Sequence, residues 1–462
     1  MVKITGSPVR VVALLAGIAL AIAGVLASGG AAVAGRAAGR PGLRAVALAQ
    51  VMRHGVGFRP GGAGAAALPG DARNVPRPGR HSALNGVYCT SPGNCWAVGE
   101  YGPIENVEAN EVLHWNGRRW SQVPVTSPGG TGTGAFSDLF AVRCTSAGNC
   151  WAVGYYDKGE TELNQALHWN GKKWSRVSTP TPGGILTGAI NELFDINCTS
   201  SASCLADGEY GSLTSTGETI LNQVLRWNGR TWSVAPTPDP AGTALGDVQA
   251  IDAIRCGSAS NCIAIGTQGT FGSTFELQNE ALHWNGRKWS TLSTPNPGGT
   301  SANGDVSELA GLGCSGASTC FAAGAYGNLT SGTMLNQVLR WNGKKWSLAT
   351  TPDPGGTSTH DKNELSAVSC LSATSCWAVG LHGFDSGGSG TLLNEALRWN
   401  GKTWSLVKTP SPAGTGDQDT NELNAIRCAS PGKCFAVGEQ QKKGDPELNE
   451  ILRWNGSRWS TN

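Results

Sequence analysis

Tyrosine is scarce in this chain and regularly placed. Five of the six, Tyr101, Tyr155, Tyr156, Tyr210 and Tyr326, fall just after a glycine that recurs along the sequence, and His382 and Gln268 take the place of Tyr101 in other copies. Glu100, Glu209 and Glu439 lie beside them. Flat rings with hydrogen-bonding rims, next to carboxylates, suit sugar rings or peptides. The same rings would also serve as wedges between packed elements, and both readings stand. A second group, Arg143, Arg255 and Arg427, immediately precedes a cysteine in three copies. No catalytic arrangement accompanies either group. His114, His168 and His283 share a slot with Arg226, Arg340, Arg398 and Arg453, and a slot that accepts both types is not a general base. There is no nucleophile elbow and no phosphate loop, and no cofactor is implied.

What must position these side chains is a unit of about 55 residues written seven times. Each copy opens with a Cys-x5-Cys pair. The pairs are Cys89 with Cys95, Cys144 with Cys150, Cys198 with Cys204, Cys256 with Cys262, Cys314 with Cys320, Cys370 with Cys376 and Cys428 with Cys434, which uses all 14 cysteines. Each copy closes with Trp-Asn-Gly and a second Trp before Ser, as in Trp115-Asn116-Gly117 and Trp120-Ser121. Four apolar runs per copy are too short and too rich in glycine and β-branched residues for helices. Asn-Gly between the last two runs predicts a type I′ hairpin. The recurring glycine of the second run, Gly99 and its equivalents, predicts a close backbone approach between sheets. Asn followed by Glu or Gln, as at Asn110-Glu111 and Asn164-Gln165, reads as a structural hydrogen-bonding pair in every copy.

A four-stranded antiparallel meander cannot bury both faces alone, so the copies must stack. The expected fold is all-β: a seven-bladed β-propeller with one disulfide per blade. Arg143, Arg255 and Arg427 would then face its central channel. The disulfide loops and Asn-Gly turns fall on one face. The loops between second and third runs, Glu100 to Ala109, Gly211 to Leu221 and His382 to Leu393, share the other face with the Thr-Pro-x-Pro crossovers. These loops vary in length, and variable loops on a rigid scaffold are where ligands are met. The last Trp-Ser pair stands two residues from Asn462, so the final outer strand is expected to be clipped and blade seven to meet blade one by packing alone.

The cysteine spacing favours a hairpin disulfide over zinc, since no second pair or His recurs in register. Each bridge closes so short a loop that it is worth roughly 2.4 kcal/mol before strain. Disulfides fit an exported chain. Lys3 and Arg10, the apolar stretch Val11 to Ala27 and Ala32-Val33-Ala34 read as a signal peptide over residues 1–34; an uncleaved anchor is the alternative. Residues 35–81 form an Arg-, Gly-, Ala- and Pro-rich tail expected to be disordered. It is either a solvated spacer or a basic arm for anionic cell-wall polymers or lipid headgroups. Residues 1–81 carry +9, which leaves −7 of the total +2 for residues 82–462 and argues against nucleic acid as partner.

The unit resembles Kelch and Asp-box (BNR) propeller repeats, and those of bacterial photosystem-assembly-type propellers, over residues 82–462. Asn116 to Pro124, with Trp120, resembles the fourth Kelch strand, although Val98 precedes a single Gly99 where Kelch has a glycine pair. The Asp-box spacing Gly117-x-x-Trp120 is kept, with Trp115 at the Asp position. The expected role is a secreted or cell-surface, monomeric binding or scaffold module for a glycan or protein. An extracellular glycan-cleaving hydrolase or lyase, which the Asp-box resemblance implies, and a structural envelope protein are the alternatives.

Overall fold

A computed structural model describes residues 81–462 apart from 103–106, 131, 133, 215–216, 272–274, 302, 317 and 388. The expected leader, and the tail up to residue 80, lie outside the described residues. All described regular structure is β, in 28 strands. In blade one, β1 (His81–Ser91), β2 (Asn94–Gly102), β3 (Ala109–Trp115) and β4 (Trp120–Gln122) pair in sequence order, all antiparallel. Six more blades repeat this order, which makes the seven-bladed propeller. Blades four and five are additionally joined by a short parallel ladder, Phe275 opposite Asn303 and Leu277 opposite Val306.

The core lies between blades. Leu84, Val87, Trp115 and Trp120 pack on Phe435, Val437 and Ile451 of blade seven, whereas Trp96, Val98 and Val112, on the opposite face, pack on Leu139, Val142 and Trp174 of blade two. The repeated tryptophans are therefore packing residues. Among the described residues, the first Trp in six of the seven pairs is also tethered, as where Trp115 Nε1 donates to Pro92 O at 3.2 Å and Trp454 Nε1 to Pro431 O at 3.2 Å.

All seven expected disulfides are present, each within one blade. Cys89 is bonded to Cys95, Cys144 to Cys150, Cys198 to Cys204 and Cys256 to Cys262. Cys314 is bonded to Cys320, Cys370 to Cys376 and Cys428 to Cys434. Each joins cross-strand neighbours, with Cα atoms 3.9–4.1 Å apart. Seven bridges suit an oxidising compartment rather than a reducing one. Among the described residues, no helix is long and apolar enough to cross a membrane. Replacing Cys89 and Cys95 together by Ala is expected to lower stability by about 2 kcal/mol in urea unfolding, because the loop closed is so short. No change in the unfolding midpoint would show that the bridge contributes nothing in this hairpin.

The structure corrects four expectations. The Asn-Gly turn is not type I′. Trp115 pairs with Trp120, so Asn116 to Arg119 form a four-residue loop. Asn116 Oδ1 accepts from the N–H groups of Arg118 and Arg119, both at 3.0 Å, and only Gly117 takes a positive φ, 91°. The side chain closes the turn, so Asn itself need not enter the left-handed region. Second, the recurring glycine gives close approach within its own blade rather than between sheets: a Cβ on Gly99 would sit 2.0 Å from Ala83 O. Third, Gly211 to Leu221 and His382 to Leu393 are largely hairpin, not loop. The flanking strands, Ser203–Thr214 with Gly217–Trp227 and Ser375–Asp385 with Gly390–Trp399, pair almost to their tips. Fourth, the last outer strand, Trp459–Thr461, has the three residues that β4 has and is not clipped.

Nor does blade seven meet blade one by packing alone. The Asn of each third strand donates from Nδ2 to the Gln or Glu of the next blade: Asn110 to Gln165, Asn164 to Gln223 and Asn222 to Glu280, each at 2.6 Å. Asn279 to Gln337 and Asn336 to Glu395 follow at 2.7 Å, then Asn394 to Glu450. Asn449 donates to Glu111 of blade one at 2.8 Å and closes a buried belt of seven. Six of these Asn spend the other Nδ2 proton on a crossover carbonyl, as in Asn110 to Thr126 O at 2.8 Å and Asn394 to Pro410 O at 2.8 Å. At the seam, Asn449 N–H donates to Ser82 Oγ at 3.0 Å and Ser82 N–H to Glu447 O at 3.0 Å.

Candidate functional site

The innermost strands surround a central channel with a cavity of about 310 Å³. Its lining is set by one repeated irregularity. In every blade the innermost strand carries a β-bulge opposite the recurring glycine, between Leu84 and Gly86 in β1 and at the equivalent place in the others. The extra residue cannot join the ladder and lies against the lumen. Around the ring it is Asn85, Phe140, Phe194, Asp252, Ala310, Ser366 and Asn424, all of which line the cavity.

The channel is electrically lopsided. Towards the crossovers, the residue two before the bulge is Asp138, Glu192, Glu308, Glu364 or Glu422 in five blades. Burial pushes the Asp138 carboxyl well up, helped by Glu100, although Asn85 Nδ2 donates to it at 2.9 Å. Burial raises Glu308 well above the usual range and Glu364 to about 7, with Lys362 pulling both back. Lys362 is itself fully buried, and burial lowers its pKa. Among the described residues, no three of His, Cys, Asp and Glu are grouped to hold a metal ion. At the disulfide end the residues preceding the first Cys are Tyr88, Arg143, Asn197, Arg255, Gly313, Ser369 and Arg427. The three arginines do reach the channel.

The tyrosines and glutamates expected at the ligand face do not form one ring. Glu100 pairs with Ala83, Glu209 with Glu192 and Glu439 with Glu422, so these buried carboxylates sit beside the innermost strands. Tyr155 holds the same position in blade two. It is fully buried between Phe136 and Phe140, with ring centroids at 5.0 and 5.7 Å, as a packing wedge. Tyr101, Tyr156, Tyr210, Tyr326 and His382 come one residue later, so their side chains point to the opposite strand face. Tyr156 is buried and accepts from Arg176 Nη2 at 2.6 Å; the others are half-buried. Tyr210 and Tyr326 lie near the crossover residues Asp239 and Asp353, and burial, followed by those carboxylates, raises both phenol pKa values. Where blade four has Gln268 instead, a small pocket remains, lined by Pro240, Gln268, Asn279, Thr294 and Asn296. Burial lowers the His382 pKa.

The channel residues Asn85, Tyr88, Asp195 and Asp252, and the buried Asp138 and Lys362 of the innermost strands, are not evident from the sequence. Their one signal is that they fill the places where otherwise matching repeats disagree. The His/Arg slot is a ring-packing position: His114 lies 4.4 Å from Trp96, and Arg453 lies over Trp115 at 5.6 Å.

No family model matches the chain, and no curated protein matches it. Solved structures do. A GH74 xyloglucanase from Xanthomonas campestris aligns at TM-score 0.47 and 13% identity, over 84% of this chain and 56% of its own. A polysaccharide lyase of family PL25, an ulvan lyase, aligns at TM-score 0.47 and 12% identity, over 84% and 96%. The propeller domain of the trilobed protease from Pyrococcus furiosus aligns at TM-score 0.45 and 8% identity, over 82% and 97%. The chain thus spans little more than half of the xyloglucanase, and similarity at this level carries no conclusion about chemistry.

Proposed function

We propose that the protein is a secreted or cell-surface binding module that presents its crossover face to a glycan or protein. One observation carries this. Seven repeats agree at the cysteines, the tryptophans, the recurring glycine and the belt. They disagree at the lumen positions and in the hairpins and crossovers of one face. A scaffold that repeats its packing and varies one face has its specificity there. That face also bears exposed apolar side chains, Ile185 (71% exposed) and Leu186 (79%) on one crossover and Phe384 on a hairpin, which serve as contact residues for a partner. Seven disulfides and the leader-like residues 1–34 support export, and the Arg-rich stretch 35–81 would act as a spacer or wall-binding arm. The repeats are read as Kelch- or Asp-box-like.

The test is a glycan array with the wild-type chain and with Tyr101, Tyr156, Tyr210 and Tyr326 changed to Ala. Binding that the variant loses supports a lectin-like role. Binding that survives unchanged removes the tyrosines from the site. Binding with turnover, abolished by Glu100→Gln, Glu209→Gln and Glu439→Gln while affinity stays, would replace a binding module by an enzyme.

A further inference from the structure

The disulfide-side mouth of the channel has a surplus of positive charge that the protein itself does not neutralise. Arg143 and Arg427 both lie over the ring of Tyr88, at 4.7 and 4.5 Å from its centroid. Arg427 Nη2 reaches the Tyr88 hydroxyl only at 3.5 Å, and Arg427 Nε is buried without an acceptor. The Arg143 guanidinium donates no hydrogen bond to any described residue. The carboxylate that acts on Arg143, Asp195, is already taken: Arg255 pairs with it, and Ile254 N–H donates to it at 3.1 Å. Asp207, paired across the strands with Asp195, is fully buried, and burial, then Asp195, pushes its carboxyl well up. Burial, then the nearness of Arg255 and Arg427, lowers the Arg143 pKa to about 10, which still leaves it charged at neutral pH.

We propose that this mouth binds one compact oxyanion, a sulfate or carboxylate group, between the Arg143 and Arg427 guanidinium groups beside Tyr88, with Arg255 fixed at its edge by Asp195. Half-buried guanidinium groups held over one ring, with Arg427 Nε lacking an acceptor, are only partly compensated by cation–π contact. Sulfate and carboxylate oxygens match the fork of guanidinium donors. The space is present, because Gly313 and Ser369 occupy the equivalent places in blades five and six and leave the lumen free. The three arginines sit at the disulfide end of the channel, so the group enters from the disulfide side. This mouth is opposite the crossover face proposed for glycan or protein binding, so the two readings fail independently.

The test uses the full chain, with melting and titration calorimetry at matched ionic strength. The probes are sodium chloride, sodium sulfate, sodium acetate, a neutral disaccharide, a sulfated disaccharide and a glucuronate-ended disaccharide. The variants are Arg143→Gln, Arg427→Gln and, as control, Arg176→Gln, which is remote from the channel. We expect sulfate or acetate, free or carried on sugar, to raise the melting temperature above the chloride and neutral-sugar values. We expect Arg143→Gln to weaken that binding roughly tenfold to a hundredfold. Without anion, Arg143→Gln should melt no lower than wild type, because it removes an uncompensated charge; a purely structural arginine would lower it under every condition. Tighter binding of a sugar-borne group than of the free ion assigns the site to a polymer end, and the reverse assigns it to a free ion. The proposal is overturned if no anionic probe acts beyond its control, or if wild type and both channel variants respond alike. Should Arg143→Gln fail to fold, Arg427→Gln decides.

Discussion

Raising the pH from about 5 to about 8 should lower the melting temperature of the wild type, and the quadruple change of Glu111, Glu280, Glu395 and Glu450 to Gln should remove much of that fall. In three blades the belt position is Gln, and its Nε2 donates back to the Asn of the preceding blade, as from Gln165 to Asn110 Oδ1 at 3.0 Å and from Gln337 to Asn279 Oδ1 at 3.0 Å. The same nitrogen meets two backbone carbonyls, as where Gln223 reaches Glu192 O at 2.9 Å and Glu209 O at 2.7 Å. In the other four blades Glu stands in this place. An ionised Glu280, Glu395 or Glu450 leaves one carboxylate oxygen and the Oδ1 of Asn222, Asn336 or Asn394 without partners. One proton on the carboxyl restores the bond that Gln makes.

Burial drives the pKa of all four up, that of Glu111 to about 8, and the donated Asn bond only partly opposes it. Carboxylates near two of them, Asp239 and Asp252 at Glu280 and Asp353 at Glu395, push the same way. An acid whose folded pKa lies above its unfolded one holds the fold best below the unfolded value, and the advantage drains away as pH climbs through the folded one. For Glu111 that window runs from about 4.5 to about 8, at roughly 1.4 kcal/mol per pH unit for one group titrating alone. The innermost-strand acids Asp138, Asp252, Glu308 and Glu364 are raised too, so the quadruple variant keeps a residual slope. A melting temperature that is flat across this range, or one that drops at pH 8 on Glu111→Gln, would show that the belt acids are ionised.

The second large effect is expected from a single methyl group. Gly380→Ala places a Cβ 1.9 Å from Glu364 O and 2.8 Å from Leu365 Cα. Both are backbone atoms of the paired strand at its bulge, so nothing flexible gives way. We expect a loss of about 4 kcal/mol or more, or no folded protein. Gly316→Ala, with nothing within 4 Å of the new Cβ, should unfold at the wild-type urea concentration. A Gly380→Ala chain with wild-type stability would mean that the bulge is not fixed.

These two features mark the limit of what the sequence makes legible. Strands, blade count and disulfides follow from local signals: Cys-x5-Cys, paired tryptophans and Asn-Gly. The belt is legible as a repeated Asn-Glu or Asn-Gln pair, but its direction from blade to blade depends on how sheets stack. The bulge is invisible, because a one-residue slip reverses which side chains face inward. Asn85 and Asp252 thereby reach the lumen without any mark in the alternation. The separation of Glu100 from Tyr101, by contrast, is available from strand alternation alone. Nearness in sequence there is not nearness in space. Arg143, Arg255 and Arg427 are placed at the channel by their shared offset from a cysteine. What the sequence leaves dark is Tyr88 between two of them, since that meeting joins blades one, two and seven.

The belt also bears on how such a ring counts. Every junction, including the one with no peptide link across it, is made by the same Asn reaching the same Gln or Glu position. A bond that is identical at every junction tells each blade to accept a neighbour but never how many there are. The number seven is therefore not set by the belt. Each copy of the repeat is self-contained, with all four strands drawn from one stretch of chain. Deleting one whole copy leaves every belt partner supplied, whereas pairs special to one junction, such as Asn85 with Asp138 and Arg255 with Asp195, are lost with the blade that holds one member.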